Sequence, residues 1–240
     1  MYLFVHYRNA SEYHFLKALG SGYFGTVYLA LHTPTQQKVA IKTFSIKSIA
    51  KTESILMEAF ILQAVCGGPH IIKIRDVLNL TTSPKPALVF EYIQATTGSM
   101  EDIYMSLSPM EVKHYLKQLL EAIIYVHSVG VVHRDVQPIN ALINKATKQL
   151  TLIDFGASNF HDPNAPRHFR GNLRIEAPEV LLDHAWRDYK SDMWSFGIML
   201  ASATFRKFPF LTYDNQTYVM LKLVDVSSIL CLCSCYIYHN

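Results

Sequence analysis

The chain has 240 residues, half of them apolar, and carries 22 basic against 19 acidic side chains for a formal net charge of +3. That composition supplies a sizeable buried core and excludes disorder as the default state. The net charge is too small to imply binding to nucleic acid or to a membrane, so any electrostatic preference has to be local.

The opening Met1-Tyr2-Leu3-Phe4-Val5 lacks a charged n-region, and its apolar run is too short for a secretory signal. No uninterrupted apolar run reaches the roughly 18 to 20 residues needed to span a bilayer. The longest candidate, residues 229–238, is broken by Ser234. An intracellular protein of the cytoplasm or nucleus is expected. The four cysteines make no disulfide framework: Cys66 stands alone, and Cys231, Cys233 and Cys235 alternate without a second cluster that would complete a metal site.

Residues 1–93 read as strands around one helix. Val27, Tyr28 and Leu29 follow a glycine-rich turn, Pro34-Thr35-Gln36-Gln37 supplies the next turn, and residues 38–44 are again strand-like. Over residues 51–65 the apolar positions Ile55, Ala59, Leu62 and Val65 recur at helical spacing. Gly67-Gly68-Pro69 stops that helix, and residues 71–80 and 87–93 read as two further strands. After Thr97-Gly98 the character turns helical. Ser108-Pro109-Met110-Glu111 is a capping box with proline at the first helical position, followed by a buried stripe of Val112, Leu116, Leu119, Ile123 and Val126 and a terminating Gly130. Residues 141–143 and 150–153 form two short strands, and a further helix covers residues 191–204. The pattern predicts an α+β protein: a small strand-rich lobe over residues 1–93, a larger helical lobe over residues 94–226, and a ligand cleft between them.

Gly20-x-Gly22-x-x-Gly25-x-Val27 is a weak motif alone. A dinucleotide-binding version would open a helix, whereas Thr26-Val27-Tyr28-Leu29 continues as a strand, which suits a hairpin folded over phosphates. Lys42, in Val39-Ala40-Ile41-Lys42, can then neutralise phosphate charge, with Glu58 preferred over Glu53 as the carboxylate that holds its ammonium group. His133-Arg134-Asp135-x-x-x-x-Asn140 is far more specific. Asp135 would accept or orient a substrate hydroxyl proton, and Asn140 would bind a metal ion. Asp154-Phe155-Gly156 supplies a second hard oxygen ligand, and the pair suits magnesium. Ala177-Pro178-Glu179 and Asp192-Met193-Trp194-Ser195-Phe196-Gly197 follow in the order found in eukaryotic protein kinases, where the latter's aspartate secures the catalytic-loop backbone.

Beyond the superfamily, Cys66-Gly67-Gly68-Pro69-His70-Ile71-Ile72, residues 86–92, residues 127–136, and Asp192-Met193-Trp194-Ser195 through Phe205-Arg206-Lys207-Phe208-Pro209-Phe210 resemble the casein kinase II catalytic-subunit family. The resemblance runs from about residue 13 to residue 226. It implies a bilobal kinase fold with a small antiparallel-sheet N-lobe, and a serine/threonine kinase using ATP, or GTP in its place, with Mg2+ on acidic protein segments. It further implies that Phe90 guards the back of the nucleotide pocket and that Glu91 and Ile93 offer backbone groups to the purine. Val27, Ala40, Leu142 and Ile153 would sandwich the base, beneath Gly20, Ser21, Gly22 and Gly25 on the phosphates. A regulatory subunit of the same family is an expected partner, using the region of residues 80–88. Between Phe155 and Glu176 the one hydroxyl-bearing residue is Ser158, which argues against control by phosphorylation of that segment. The same segment carries Arg167, Arg170 and Arg174, a basic groove suited to acidic substrates.

Four departures modify that expectation. Gln137 stands where these kinases carry lysine; it can hydrogen-bond a γ-phosphate oxygen without offsetting its charge. Loss of a charge-assisted contact of about 1.5 to 3 kcal/mol slows transfer by one to two orders of magnitude. The stretch before Glu58 holds only Lys51 where the family is heavily basic, and the family's N-terminal prop is without a counterpart before Tyr13. The stretch after Glu179 is shorter than kinase C-lobes usually are, which predicts a C-lobe lacking its last helices, and residues 227–240 match nothing in the family. A nucleotide- or partner-binding pseudokinase, or an incompletely folded fragment, are the alternatives these departures raise.

Overall fold

Two compact units, Met1–Gln94 and Ala95–Asn240, divide the chain. The computed structural model describes residues 7–22, 25–45, 52–79, 86–162, 175–181 and 188–207.

In the first unit, strands β1 (Tyr7–Asn9), β2 (Tyr13–Gly22), β3 (Gly25–His32), β4 (Gln37–Phe44), β5 (Ile74–Asn79) and β6 (Pro86–Glu91) form one sheet in the order β1-β5-β6-β4-β3-β2. Helix α1 (Thr52–Ala64) is inserted between β4 and β5. Period-two alternation places Val39 and Ile41 of β4 on the buried face, where they join Tyr13, Ala30, Leu78, Ala87 and Val89 in one core cluster. In α1, Ile55, Ala59, Ile61 and Leu62 are buried, and Val65 just beyond it is too. All pairings are antiparallel except β1 with β5, which run parallel with Tyr7 opposite Val77. That edge strand lies within the strand-rich region but is not among the segments named as strands, since three residues carry too little pattern to announce one.

Other boundaries also move. Ile71, which forms only an isolated bridge, and Ile72 are buried but precede β5, so apolar character there reflects core packing more than ladder pairing. Gly20 and Gly22 are not a turn; they belong to β2, where Gly20 pairs with Val27 and Gly22 with Gly25, after two register shifts. Gly25 is the glycine the backbone demands. Its φ is +155°, and an added Cβ would lie 1.9 Å from the Thr43 carbonyl oxygen, whereas none would be crowded at Gly20 or Gly22.

The second unit holds helices α2 (Met100–Met105), α3 (Pro109–Ser128), α4 (Pro178–Leu181) and α5 (Tyr189–Phe205), with the short strands β7 (Val131–Val132), β8 (Ala141–Asn144), β9 (Gln149–Leu152) and β10 (Asn159–Phe160). Strand β8 pairs with β9, and β7 with β10, each antiparallel. The Ser108 hydroxyl accepts from the Glu111 N–H, and the Glu111 carboxylate accepts from the Ser108 N–H at 2.9 Å, which closes the capping box. Val112, Leu116, Leu119, Ile123 and Val126 are all buried, and α3 packs on α5 and β9. Gly130, at φ +79°, follows the helix as its left-handed terminator. The Tyr104 hydroxyl donates to the Ala141 carbonyl oxygen at 2.9 Å, tying α2 to β8; complete burial pushes the phenol well above its ordinary pKa. No helix among the described residues is long and apolar enough to cross a membrane.

Candidate active site

In the first unit the β2–β3 hairpin is pinned by Ser21 and Thr26, whose hydroxyl oxygens lie 3.0 Å apart, and by the Thr43 hydroxyl donating to the Thr26 carbonyl oxygen at 3.0 Å. The β3–β4 register sets Val27 opposite Lys42 and Leu29 opposite Ala40. Lys42 Nζ lies 2.8 Å from Glu58 Oε1, with the lysine side chain 16% and the glutamate 4% exposed. Of the two glutamates weighed, Glu58 is therefore the one that reaches Lys42. Glu53, on the exposed face of the first turn of α1, is not. The Lys42 ammonium also sits 5.4 Å from the centre of the Phe44 ring.

Phe90 lies in β6 opposite Ala40, and Ile93 is half-buried just beyond that strand. Glu91 donates its backbone N–H to the Lys73 carbonyl oxygen at 3.1 Å, and its side chain accepts from the Lys73 N–H at 3.2 Å. Its N–H is thus committed to Lys73.

In the second unit the loop after β7 is fixed from behind. Asp192, on the first turn of α5 and 1% exposed, accepts from the His133 N–H at 2.8 Å and from the Arg134 N–H at 2.7 Å. His127 Nε2 lies 2.8 Å from the same carboxylate. The role of His127 was not read from the sequence, although its place in the last turn of α3 was visible. Arg134 takes a left-handed conformation, φ +70°, and that turn aims the following residue away from the strand.

Asp135 is consequently held where two amides reach it. Gln137 Nε2 donates to Oδ1 at 2.8 Å, and Asn140 Nδ2 donates to Oδ2 at 2.6 Å and to the backbone oxygen at 3.0 Å. Burial pushes the Asp135 carboxyl above the usual carboxylate range, with Asp154 adding to the effect; His133 and the two amide hydrogen bonds oppose it. The Asp135 N–H donates to His133 Nδ1 at 3.3 Å, which places the imidazole proton on Nε2, 3.2 Å from the Ile153 carbonyl oxygen. His133 thereby links the loop to the segment after β9 that carries Asp154.

The β8–β9 hairpin brings the two metal-ligand candidates to one end. Ala141 pairs with Leu152, and the Ile153 N–H donates to the Asn140 carbonyl oxygen at 2.8 Å, so Asn140 and Asp154 flank the same open end. Asp154 has φ +59°, and its carboxylate accepts from the Gly156 N–H at 3.4 Å. A left-handed aspartate is an uncommon conformation of the kind retained at functional sites. Two hard oxygen donors so placed fit magnesium, which takes one or two protein ligands and completes its shell with phosphate and water. Phe155 is buried with its ring edge-on to His133, 4.7 Å between centroids. Ser158 is buried and donates to the His133 carbonyl oxygen at 3.0 Å. Leu142 and Ile153 lie half-buried, Leu142 within β8 and Ile153 immediately after β9. Arg167, Arg170 and Arg174 lie outside the described residues, as do residues 80–85, Phe208-Pro209-Phe210, Cys231, Cys233, Cys235 and the tail from residue 227.

An antiparallel-sheet lobe with one helix, a mainly helical lobe, and an aspartate-bearing loop beside a hairpin that carries two candidate metal ligands are the parts of a phosphotransferase. The sequence matches the family described as protein kinase domain over residues 13–234, and the chain belongs to that family. Protein kinase domains act on proteins as a class and generally use ATP with Mg2+.

Proposed function

We propose that the chain is a serine/threonine protein kinase of casein kinase II type, moving the γ-phosphoryl group of ATP, or of GTP in its place, to hydroxyls in acidic segments. The observation that carries this reading is the hold on Asp135: a half-buried carboxylate gripped by Asn140, on a loop whose backbone Asp192 fixes from behind. Asp135 takes up or orients the proton of the attacking hydroxyl. Lys42, steadied by Glu58, meets the α- and β-phosphates, while Gly20, Ser21, Gly22, Gly25 and Val27 cover the nucleotide. Asn140 and Asp154 hold Mg2+, which when bound neutralises charge on the β- and γ-phosphates. Arg167, Arg170 and Arg174 favour acidic substrates. The residues around positions 80–88 serve a regulatory subunit, and residues 1–93 and 94–226 act as the two lobes of the kinase.

The test is transfer of labelled phosphate from Mg·ATP to an acidic serine peptide by the wild-type chain and by Asp135→Asn. A fall of about 10²- to 10⁴-fold in the variant is expected. Equal incorporation by both would end this reading. A second reading, a nucleotide-binding protein with weak transfer, is favoured by Gln137, a neutral group at the position where such kinases carry lysine. A nucleotide-induced rise in melting temperature without phosphate transfer would select it.

A further inference from the structure

Gln137 departs from the pattern of the kinases this chain resembles, and its geometry suggests what it does instead of supplying charge. Its backbone is extended, φ −150° and ψ 163°, and its carbonyl oxygen accepts the Asn140 N–H at 2.9 Å across the turn that buried Pro138 begins. The turn locks Gln137 and Asn140 together. Their amides then approach Asp135 from two sides, one on each carboxylate oxygen, at 2.8 and 2.6 Å. A carboxylate oxygen has two lone pairs, so each oxygen keeps one for an incoming group.

We infer that Gln137 is a positioning residue that acts on the substrate through Asp135: it fixes the plane of the carboxylate so that the remaining lone pair on Oδ1 faces the substrate hydroxyl. The inference rests on the kinase reading above. In the step concerned, the substrate oxygen bonds to the γ-phosphorus as the bond to the β–γ bridging oxygen breaks and ADP leaves. The hydroxyl proton passes to Asp135. A lysine at position 137 could reach phosphate as a point charge, but a glutamine whose amide hydrogen is committed to Oδ1 contributes orientation. The cost of losing it therefore falls on turnover and not on nucleotide affinity.

The experiment is a double-mutant cycle in steady-state kinetics. Gln137→Met keeps the length of the side chain and removes its donor. It is expected to lower kcat about tenfold, the size of one hydrogen bond to a charged group, with KM for Mg·ATP unchanged within about twofold. In an Asp135→Ala background the same substitution is expected to have no further effect. Gln137→Lys, which restores a donor, is expected to recover at least wild-type kcat. A tenfold fall that persists in the Asp135→Ala background would overturn the inference, because Gln137 would then act on the phosphate directly.

Absence of transfer by the wild type would instead count against the kinase reading, and the inference is then decided without activity. In ¹⁵N-edited NMR spectra, one Gln137 side-chain amide proton is expected downfield of free glutamine and slow to exchange, moving back in Asp135→Ala. A free-glutamine resonance in the wild type overturns the assignment. Should Asp135→Ala melt early, Asp135→Asn, which removes the charge and keeps the shape, gives the same comparison.

Discussion

The two units hold their chemically distinctive side chains by opposite means. In the first, an ion pair joins Lys42 on a strand to Glu58 on a helix, with Glu58 nearly buried and Lys42 still reachable by solvent. In the second, two amides grip the Asp135 oxygens, while a separate buried carboxylate, Asp192, fixes the backbone that carries it. A salt bridge that solvent can reach leaves the lysine able to exchange its partner for phosphate. A network of directional hydrogen bonds keeps a base in one orientation.

The comparison breaks most sharply at Asp192. Asp192→Ala leaves the buried His133 N–H and the Arg134 N–H without their acceptor, and a loss of about 3 to 5 kcal/mol in urea-denaturation stability is expected. Next in size is Gly25→Ala, where the added carbon meets the Thr43 carbonyl oxygen; a loss of about 2 to 3 kcal/mol is expected. Gly20→Ala and Gly22→Ala leave the melting temperature nearly unchanged, so any effect they have on nucleotide binding is separable from folding.

The ion pair is the next test. Glu58→Gln keeps a hydrogen-bond acceptor but removes its charge, and a fall of about tenfold in kcat/KM for ATP is expected, with little change in the melting curve. The smallest effect belongs to the α3 cap, where Ser108→Ala is expected to cost about 1 kcal/mol. Hydrogen bonds from the Ser108 backbone and then its side chain lower the Glu111 carboxyl below its ordinary value. Its stabilising contribution is therefore complete above about pH 4.3 and is lost as pH falls through the lower folded value. A pH titration of the Ser108→Ala stability difference checks this: the difference shrinks only on the acid side.

What could be read from the sequence was mainly what is local. Helix α3 announces its start through Ser108 and Glu111, its buried face through five apolar positions, and its end through Gly130, all within one continuous stretch. The two short strands β8 and β9 were similarly visible. The exact strand limits were not, because burial and pairing both favour apolar residues; Ile71 and Ile72 satisfy the first without joining β5. Strand β1 was missed because its partner is Val77 and its neighbours, brought close by the chain path and not by any pattern in residues 7–9. At the site, residue types and spacing pointed to Asp135, Asn140 and Asp154. The direction in which Gln137 turns was hidden, since it follows from the left-handed Arg134 and the turn at Pro138.

The reach of Asp192 has a consequence for the order in which the protein is made. Its two backbone partners were added to the chain 58 and 59 residues earlier. At about 5 to 20 residues per second, that gap amounts to roughly three to twelve seconds of synthesis. For all of that interval after Asn140 is added, the His133–Asn140 loop exists on the ribosome with its sequence complete and its anchor unmade. The nascent chain thus presents every side chain of the loop before it has the geometry of the loop, and closing that long contact is what ends the interval.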